Sequence, residues 1–321
     1  METQYITDFS PVNHETFATV GFFDGVHHGH RYLIDRMKEQ ARAVGLKTAI
    51  ITFPVHPRKV LQQNYQPKLL NSFEERLRHL ASTGIDYCYI LPFTREFSEI
   101  TACDFIQQVL CKQLKIKELL IGYNHKFGKG RTDAYEQYAA YGQACGMIVR
   151  QAEKLPETDG HTSSTAIRRM LVEGKIREAT MALSYAYTLE GEVIHGNHLG
   201  KTIGFPTANL DLNEKDKILP REGVYAVEVE VEEQPYGGMA YIGKRPTVAS
   251  NGEQRIEVNI FDFDKDIYGE QLRIEFTDFL RPDIRFDNLD QLKTQLAKDK
   301  RDANAVYLEN HNASYSFRCS L

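Results

Sequence analysis

The sequence lacks any run of about 18 apolar residues, and its first ten residues, METQYITDFS, carry no basic stretch ahead of an apolar segment. Both absences argue against a spanning helix and a secretory leader, so a cytoplasmic protein with no membrane partner is expected. Cysteine is scarce. The five present, Cys88, Cys103, Cys111, Cys145 and Cys319, are odd in number and show no CxxC spacing, which supports neither a disulfide framework nor a zinc ribbon. They are expected to be reduced thiols. Positive charge is not in excess either: 39 Lys and Arg against 44 Asp and Glu give a formal net charge of -5. That balance argues against binding of nucleic acid through a general basic surface, leaving room only for a local basic patch, and favours small, diffusible substrates. Internal repeats, low-complexity segments and long linkers are also absent. What remains is a chain of 321 residues, enough for about two domains, whose 42% hydrophobic and 26% charged content suits packed globular cores.

Residues 18 to about 152 alternate apolar, β-rich runs with helical patterns. Strands are expected at 18–24, 47–53, 86–91, 118–122 and 147–151. Between them, Leu33, Met37, Ala41 and Val44 follow helical spacing up to a stop at Gly45. Ser72 with Glu75 forms a capping-box pattern, and Thr101 with Asp104 stands in the same relation ahead of Phe105, Ile106, Val109 and Leu114. This βαβα order predicts a parallel sheet covered by helices. A further helix is expected from the Ser163, Ser164, Thr165 cluster to Gly174. After Leu183 the texture changes to strands at 187–194, 225–232, 240–243, 255–263 and 271–276, with turns at Gly237-Gly238 and Asn251-Gly252. A small antiparallel barrel closed by a helix near 289–296 is the expectation, and the change of texture sets the domains at 1–185 and 186–321.

The first apolar strand runs into a turn that carries His27, His28, Gly29 and His30 and opens a helix. Glycine lets a phosphate approach the backbone, the first amides of a helix point at it, and imidazoles can donate to its oxygens. Such a constellation can stabilise charge on a pentavalent phosphorus. A metal site is the weaker reading, since no His, Cys or acidic partner accompanies the histidines at ligand spacing. Two further stretches are consistent with phosphate binding. One is His161 to Arg168, where hydroxyls and an arginine meet a helix start; the other is the glycine-rich, basic loop from Gly122 to Arg131. A capped helix and a solvated loop are the bland alternatives.

In the second half, Gly196 to Gly204 is glycine-rich but no GK[ST] opens a helix at Walker spacing. Thr207 and Asn209, two apart on an extended segment, point to one side and offer hard oxygens suited to Mg²⁺. Glu257 lies within an apolar strand, where a carboxylate is costly unless it has work to do or a cation to pair with.

The stretches TVGFFDGVHHGH, TFPVHPRKVL, LLIGYNHKFGKG and SSTAIRRML, followed by GFPTANL, REGVYAV, YIGKRPT, FDFDKDIYG, LRPDIRF and QLAKDKRDA, occur in this order. In motif and order the chain resembles the bacterial bifunctional riboflavin kinase/FAD synthetases, whose front half is an HxGH nucleotidyltransferase of Rossmann-like fold. The resemblance implies that ATP lies over Gly21, Phe22, Phe23, Asp24, Gly25 and Gly29 beside His27 and His30, with Ser163, Ser164, Thr165 and Arg168 closing on its phosphates. FMN would attack the α-phosphorus, giving FAD and pyrophosphate, with His56, Pro57 and Asn124 on the flavin side. In the second half the resemblance implies ATP at Gly200, Lys201 and Gly204, Mg²⁺ on Thr207 and Asn209, and Glu257 deprotonating riboflavin to give FMN. Arg281, Asp283 and Arg285 would border that flavin.

Two departures stand out. Asn124-His125 occupies the place where the family usually has an acidic residue and Phe, and Asn259 stands where it commonly has His. Two alternatives follow: a riboflavin kinase whose front half is weak or uses another acceptor, and a flavin- or nucleotide-binding regulator without turnover. A binder needs no general base, so Glu257 counts against the second. The sequence is silent on oligomeric state.

Overall fold

Phe17 and Ala18 are neighbours on one strand, point to opposite faces, and enter two different apolar cores. Ala49 and Ile50, and Leu119 and Leu120, divide in the same way. A sheet buried on both faces has this signature and reads as continuous apolar runs. The computed structural model describes residues 1–6, 12–62, 64–153, 163–196, 199–244 and 254–318. The chain separates into two compact units, Met1–Ser164 and Thr165–Leu321.

The sheet of the first unit comprises β1 (Glu2–Tyr5), β2 (Thr16–Val20), β3 (Lys47–Thr52), β4 (Tyr87–Ile90), β5 (Ile116–Ile121) and β6 (Ile148–Gln151). All its pairings are parallel, in the order β1-β4-β3-β2-β5-β6. From β2 the chain steps outward through β3 to β4, with β1 added at that edge, and from β5 it steps to β6 on the other side, so a topological switch falls between β2 and β5. Open α/β sheets bind ligands at the carboxyl ends of such strands. The loops that leave β2 and β5 are the histidine turn and the stretch from Gly122 to Arg131.

Helices α1 (His28–Val44), α2 (Pro57–Leu61), α3 (Phe73–Ala81), α4 (Arg95–Ser98), α5 (Ala102–Asp104) and α6 (Tyr135–Ala144) complete the unit. Helix α1 ends where expected: Gly45 takes the left-handed conformation at φ 71° and donates to the carbonyls of Ala41 and Arg42. The Ser72–Glu75 capping box forms in full at the start of α3. Beyond α5, Phe105–Gln113 winds as a π-helix that buries Phe105, Ile106 and Leu110, a five-residue repeat in place of the expected α spacing. One expectation is corrected. Cys111 and Cys145 are joined by a disulfide that ties the π-helix to the end of α6; the 34-residue separation hid a pairing that only the packing of these helices creates. Cys88 and Cys103 are free, and Cys319 lies outside the described residues.

In the second unit, α7 (Ser164–Glu173), which begins at the last residue of the first, and α8 (Ile176–Leu183) precede a barrel. The barrel strands are β7 (Tyr187–Ile194), β8 (Ala208–Leu212), β9 (Gly223–Val231), β10 (Gln234–Lys244), β11 (Gln254–Ile260) and β12 (Gln271–Pro282), with α9 (Leu199–Thr202) after β7 and α10 (Leu289–Arg318) at the end. The barrel is closed in the order β10-β11-β8-β7-β12-β9, with all pairings antiparallel. Gly237-Gly238 is not a turn but lies inside β10. A Cβ on Gly237 would meet the Tyr307 ring at 2.9 Å, so the glycine is there to let α10 approach the barrel. The hairpin turns instead at Glu232 and Glu233, both at positive φ. The expected turn at Asn251-Gly252 falls outside the described residues.

Candidate active sites

The turn after β2 is strained in a specific way. Phe23 and Val26 both hold positive φ, 57° and 35°, beside Gly25 at 85°. Three sets of bonds fix it. The buried Asp24 carboxylate accepts from the amides of Leu70 (3.0 Å) and Asn71 (3.4 Å), and the Ser164 hydroxyl donates to the Asp24 carbonyl at 2.9 Å. Arg76, 2% exposed, donates to the carbonyls of Phe22 (3.0 Å) and Phe53 (2.6 Å) and lies 3.9 Å from the centre of the Phe22 ring. Burial lowers its pKa to about 10, which still leaves it charged at neutral pH. Sequence reasoning missed Arg76. Its spacing from Phe73 and Leu80 places it on the apolar stripe of α3, and that was the available signal.

His27 is the N-cap of the 17-residue helix α1, and its Nδ1 accepts the His30 amide at 3.4 Å. The proton of the neutral ring is then on Nε2, which remains a donor. The His27 and His30 rings stack with centroids 3.7 Å apart. Burial, then the neighbouring His27, His125 and Arg76, hold His30 well below the ordinary histidine range, and its Nδ1 is buried without a hydrogen-bond partner. No acidic residue occupies the first turn of α1, so the amino end of the helix keeps its positive polarity.

Beside this turn opens a cavity of about 400 Å³. Gly21, Phe22 and Pro57 line it, and Phe53, Phe93, Phe105 and Phe127 supply aromatic walls. His56 caps α2 and packs its ring edge-on to Phe22 at 4.7 Å. On the β5 side, Asn124 is exposed and outside the lining, whereas His125 is part of it. Burial and Arg131 lower the His125 pKa to about 4. Ser163 is exposed, and Thr165 and Arg168 belong to the second unit, on α7.

The barrel has its own cavity of about 300 Å³. Gly200, Thr207, Asn209 and Glu257 all line it, and Glu257 pairs with Asn209 in the register of β11 and β8. The backbone makes room for them. A Cβ on Gly196 would stand 2.0 Å from the Asn209 amide, and one on Gly200 would stand 2.3 Å from the Phe205 carbonyl. Asn259 donates to the Pro206 carbonyl at 2.6 Å and so fixes the entry to Thr207. Glu257 is ion-paired with Arg255 at 3.0 Å, each about a quarter exposed.

Two flanking residues differ in what they can do. Arg281 lines the cavity, but its Nε and Nη2 donate to Asp299 of α10 and its Nη1 to the Pro282 carbonyl. Asp283 lines the cavity and bonds Tyr241, which sequence reasoning missed; Tyr241 pairs with Glu257 in the register of β10 and β11. Arg285 is exposed and outside the lining, as is Gly204; of Lys201 only the backbone, in α9, is described.

Comparison with known proteins agrees with this division. The family model for FAD synthetase matches residues 9–166, and that for riboflavin kinase matches 183–307. A bifunctional riboflavin kinase/FMN adenylyltransferase of Listeria monocytogenes is 38% identical over 289 residues, 90% of this chain and 91% of that protein. The chain belongs to this family. The Escherichia coli riboflavin kinase/FMN adenylyltransferase is 37% identical over 290 residues, again 90% of this chain, and covers 92% of its own length. A crystal structure of a Streptococcus pneumoniae protein named a macrolide-efflux protein superposes with TM-score 0.85 at 33% identity, covering 95% of this chain and 99% of that one. That name speaks of the pneumococcal protein. Among the described residues, no helix is long and apolar enough to cross a membrane.

Proposed function

We propose that each unit carries out one of the two reactions of the family through the residues assembled at its own cavity. The chain phosphorylates riboflavin to FMN and adenylylates FMN to FAD, with ATP as the second substrate of both steps. The change of activity is placed near residue 185, just before β7. The observation that carries the reading is the convergence of Gly200, Thr207, Asn209 and Glu257 on one wall of the barrel cavity.

In the barrel, Glu257 accepts the proton of the ribityl 5′-hydroxyl as that oxygen attacks the γ-phosphorus. Arg255 holds the carboxylate in place. Thr207 and Asn209 offer neutral oxygens on the same wall, a set that suits Mg²⁺, which typically takes few protein ligands and completes its shell with water and substrate phosphate. They would hold Mg²⁺, which would supply charge neutralisation at the phosphates. The backbone of Gly200, Lys201 and Gly204 lies against ATP, and Asp283, Arg281 and Arg285 border riboflavin.

In the first unit, a phosphate oxygen of FMN attacks the α-phosphorus of ATP and pyrophosphate leaves. ATP lies over Gly21 to Gly25 and Gly29. His27 donates from Nε2, His30 donates as a neutral ring, and the positive amino end of α1 faces the developing charge. Ser163 and Ser164 serve the phosphates, and His56, Pro57 and Asn124 serve the flavin. Asp24 contributes through its two amide bonds, which shape the turn. Both reactions are assigned to the cytoplasm.

The test is a time course of purified protein with riboflavin, ATP and Mg²⁺, resolving flavins by chromatography. FMN followed by FAD is expected. FMN alone would confine activity to the barrel, and unchanged riboflavin would refute the assignment of riboflavin phosphorylation to the barrel, leaving FAD formation from supplied FMN as the test of the first unit.

A further inference from the structure

We propose that His125, with Arg131 beside it, recognises the phosphate of FMN and makes the first-unit cavity select the phosphorylated flavin over riboflavin. This rests on the reading of that cavity as the FMN adenylylation site.

The walls of the cavity cannot make this distinction. Phe53, Phe93, Phe105 and Phe127 offer apolar and aromatic surface to an isoalloxazine ring, and riboflavin and FMN share that ring. The two differ only in a phosphate, so discrimination requires donors or cations. The lining contains no carboxylate but does contain Arg58, Lys126, Arg131 and His125. Nearby Lys129 is committed to Glu99 at 2.7 Å, whereas Lys126 and Arg131 make no ion pair among the described residues.

His125 is singled out by three observations. Its backbone amide closes the turn onto the Gly122 carbonyl at 3.0 Å, which directs the residue inward while Asn124 stays exposed. Its ring packs against Phe127, with centroids 6.0 Å apart, and makes no hydrogen bond to the described residues. A half-buried imidazole in an aromatic cavity without a partner is expected to find one in a ligand. It also lies near enough to His30 to disfavour a proton there, which puts it at the end of the cavity next to the histidine turn. The phosphate of FMN must occupy that end to reach the α-phosphorus.

A hydrogen bond to a phosphate dianion contributes about ten-fold or more in affinity. The experiment uses the full chain carrying Glu257→Gln, so that riboflavin is not converted to FMN by the ATP of the assay, and measures KM for FMN in FAD formation and the Ki of riboflavin as a competitor. His125→Phe is expected to raise KM for FMN by about ten-fold and to leave Ki for riboflavin within about two-fold. His125→Gln, which keeps an amide donor, is expected to recover part of the loss. Arg131→Gln, at an exposed position, is expected to raise KM for FMN in the same direction. Riboflavin phosphorylation by His125→Phe and Arg131→Gln chains that retain Glu257 should be unchanged.

If His125→Phe and Arg131→Gln both leave the ratio of Ki to KM unaltered while wild type makes FAD, the proposal is overturned and the adenylylation reading stands. If His125→Phe fails to fold, an unaltered ratio in Arg131→Gln alone overturns it. If wild type makes no FAD from FMN and ATP, both fall together.

Discussion

Glu257 faces Asn209 across two antiparallel strands, and that single register places a carboxylate beside two neutral oxygen donors. Glu257→Gln keeps the shape and removes the base, so FMN formation from riboflavin should fall by at least about a hundred-fold. FAD formation from supplied FMN should stay within about two-fold, and chromatography of both reactions checks the pair. His125 and His30 make a different prediction. Burial, chiefly, keeps both neutral in the fold, and His125 titrates near 4 rather than 6.5. In the unfolded chain they take up protons as the pH drops below about 6.5, so the unfolded state binds more protons and stability is lost on acidification from 6.5 towards 4. His125 accounts for a loss on the order of 2 kcal/mol. Urea unfolding at pH 7 and pH 5 should show wild type losing stability and His125→Phe losing less of it. The residue types at these positions were legible in the sequence. The part of His125 was not, because which of Asn124 and His125 turns inward is decided by the turn at Gly122.

Helix α10 shows how an element can act on chemistry it does not perform. Arg281 makes paired bonds to both oxygens of Asp299, whose Oδ1 also accepts from Gln295, and Asp299 is 1% exposed. Leu292 and Leu296 of the same helix line the barrel cavity. Arg281 is therefore a latch for α10, and the sequence-based reading of it as a flavin contact underestimates that role. Removing one partner of a buried pair leaves an uncompensated charge and costs about 3 kcal/mol or more. Asp299→Ala should lower the unfolding midpoint accordingly and raise KM for riboflavin more than it lowers kcat, as measured by denaturation and steady-state kinetics. The strands and capped helices of the first unit could be read from periodicity. Helix α6, strand β1 and the short β8 could not, since α6 has a mixed apolar pattern and the two strands are held mainly by their neighbours. Gly237-Gly238 misled for a related reason: glycine marks both a turn and a place where another element comes close.

For the whole molecule, two units with separate cavities predict that the two reactions can be divided between chains. His30→Ala should lose FAD formation from FMN, and Glu257→Gln should lose FMN formation, each alone making no FAD from riboflavin. A mixture of the two variants should restore FAD, with FMN passing through solution; a mixture that makes FMN but no FAD would show that FMN must reach the first unit without leaving its own chain. The sequence by itself determined the class of each half and the order of the motifs, and singled out the candidate residues, because alternation, caps and glycine-rich turns are local properties of the chain. Tertiary structure alone decided which of those residues share a cavity, that Arg76 props the histidine turn from beneath, that Arg281 is spent on Asp299, and that Cys111 reaches Cys145. Each of these depends on contacts between segments distant in sequence, and local pattern does not encode which distant surfaces will meet.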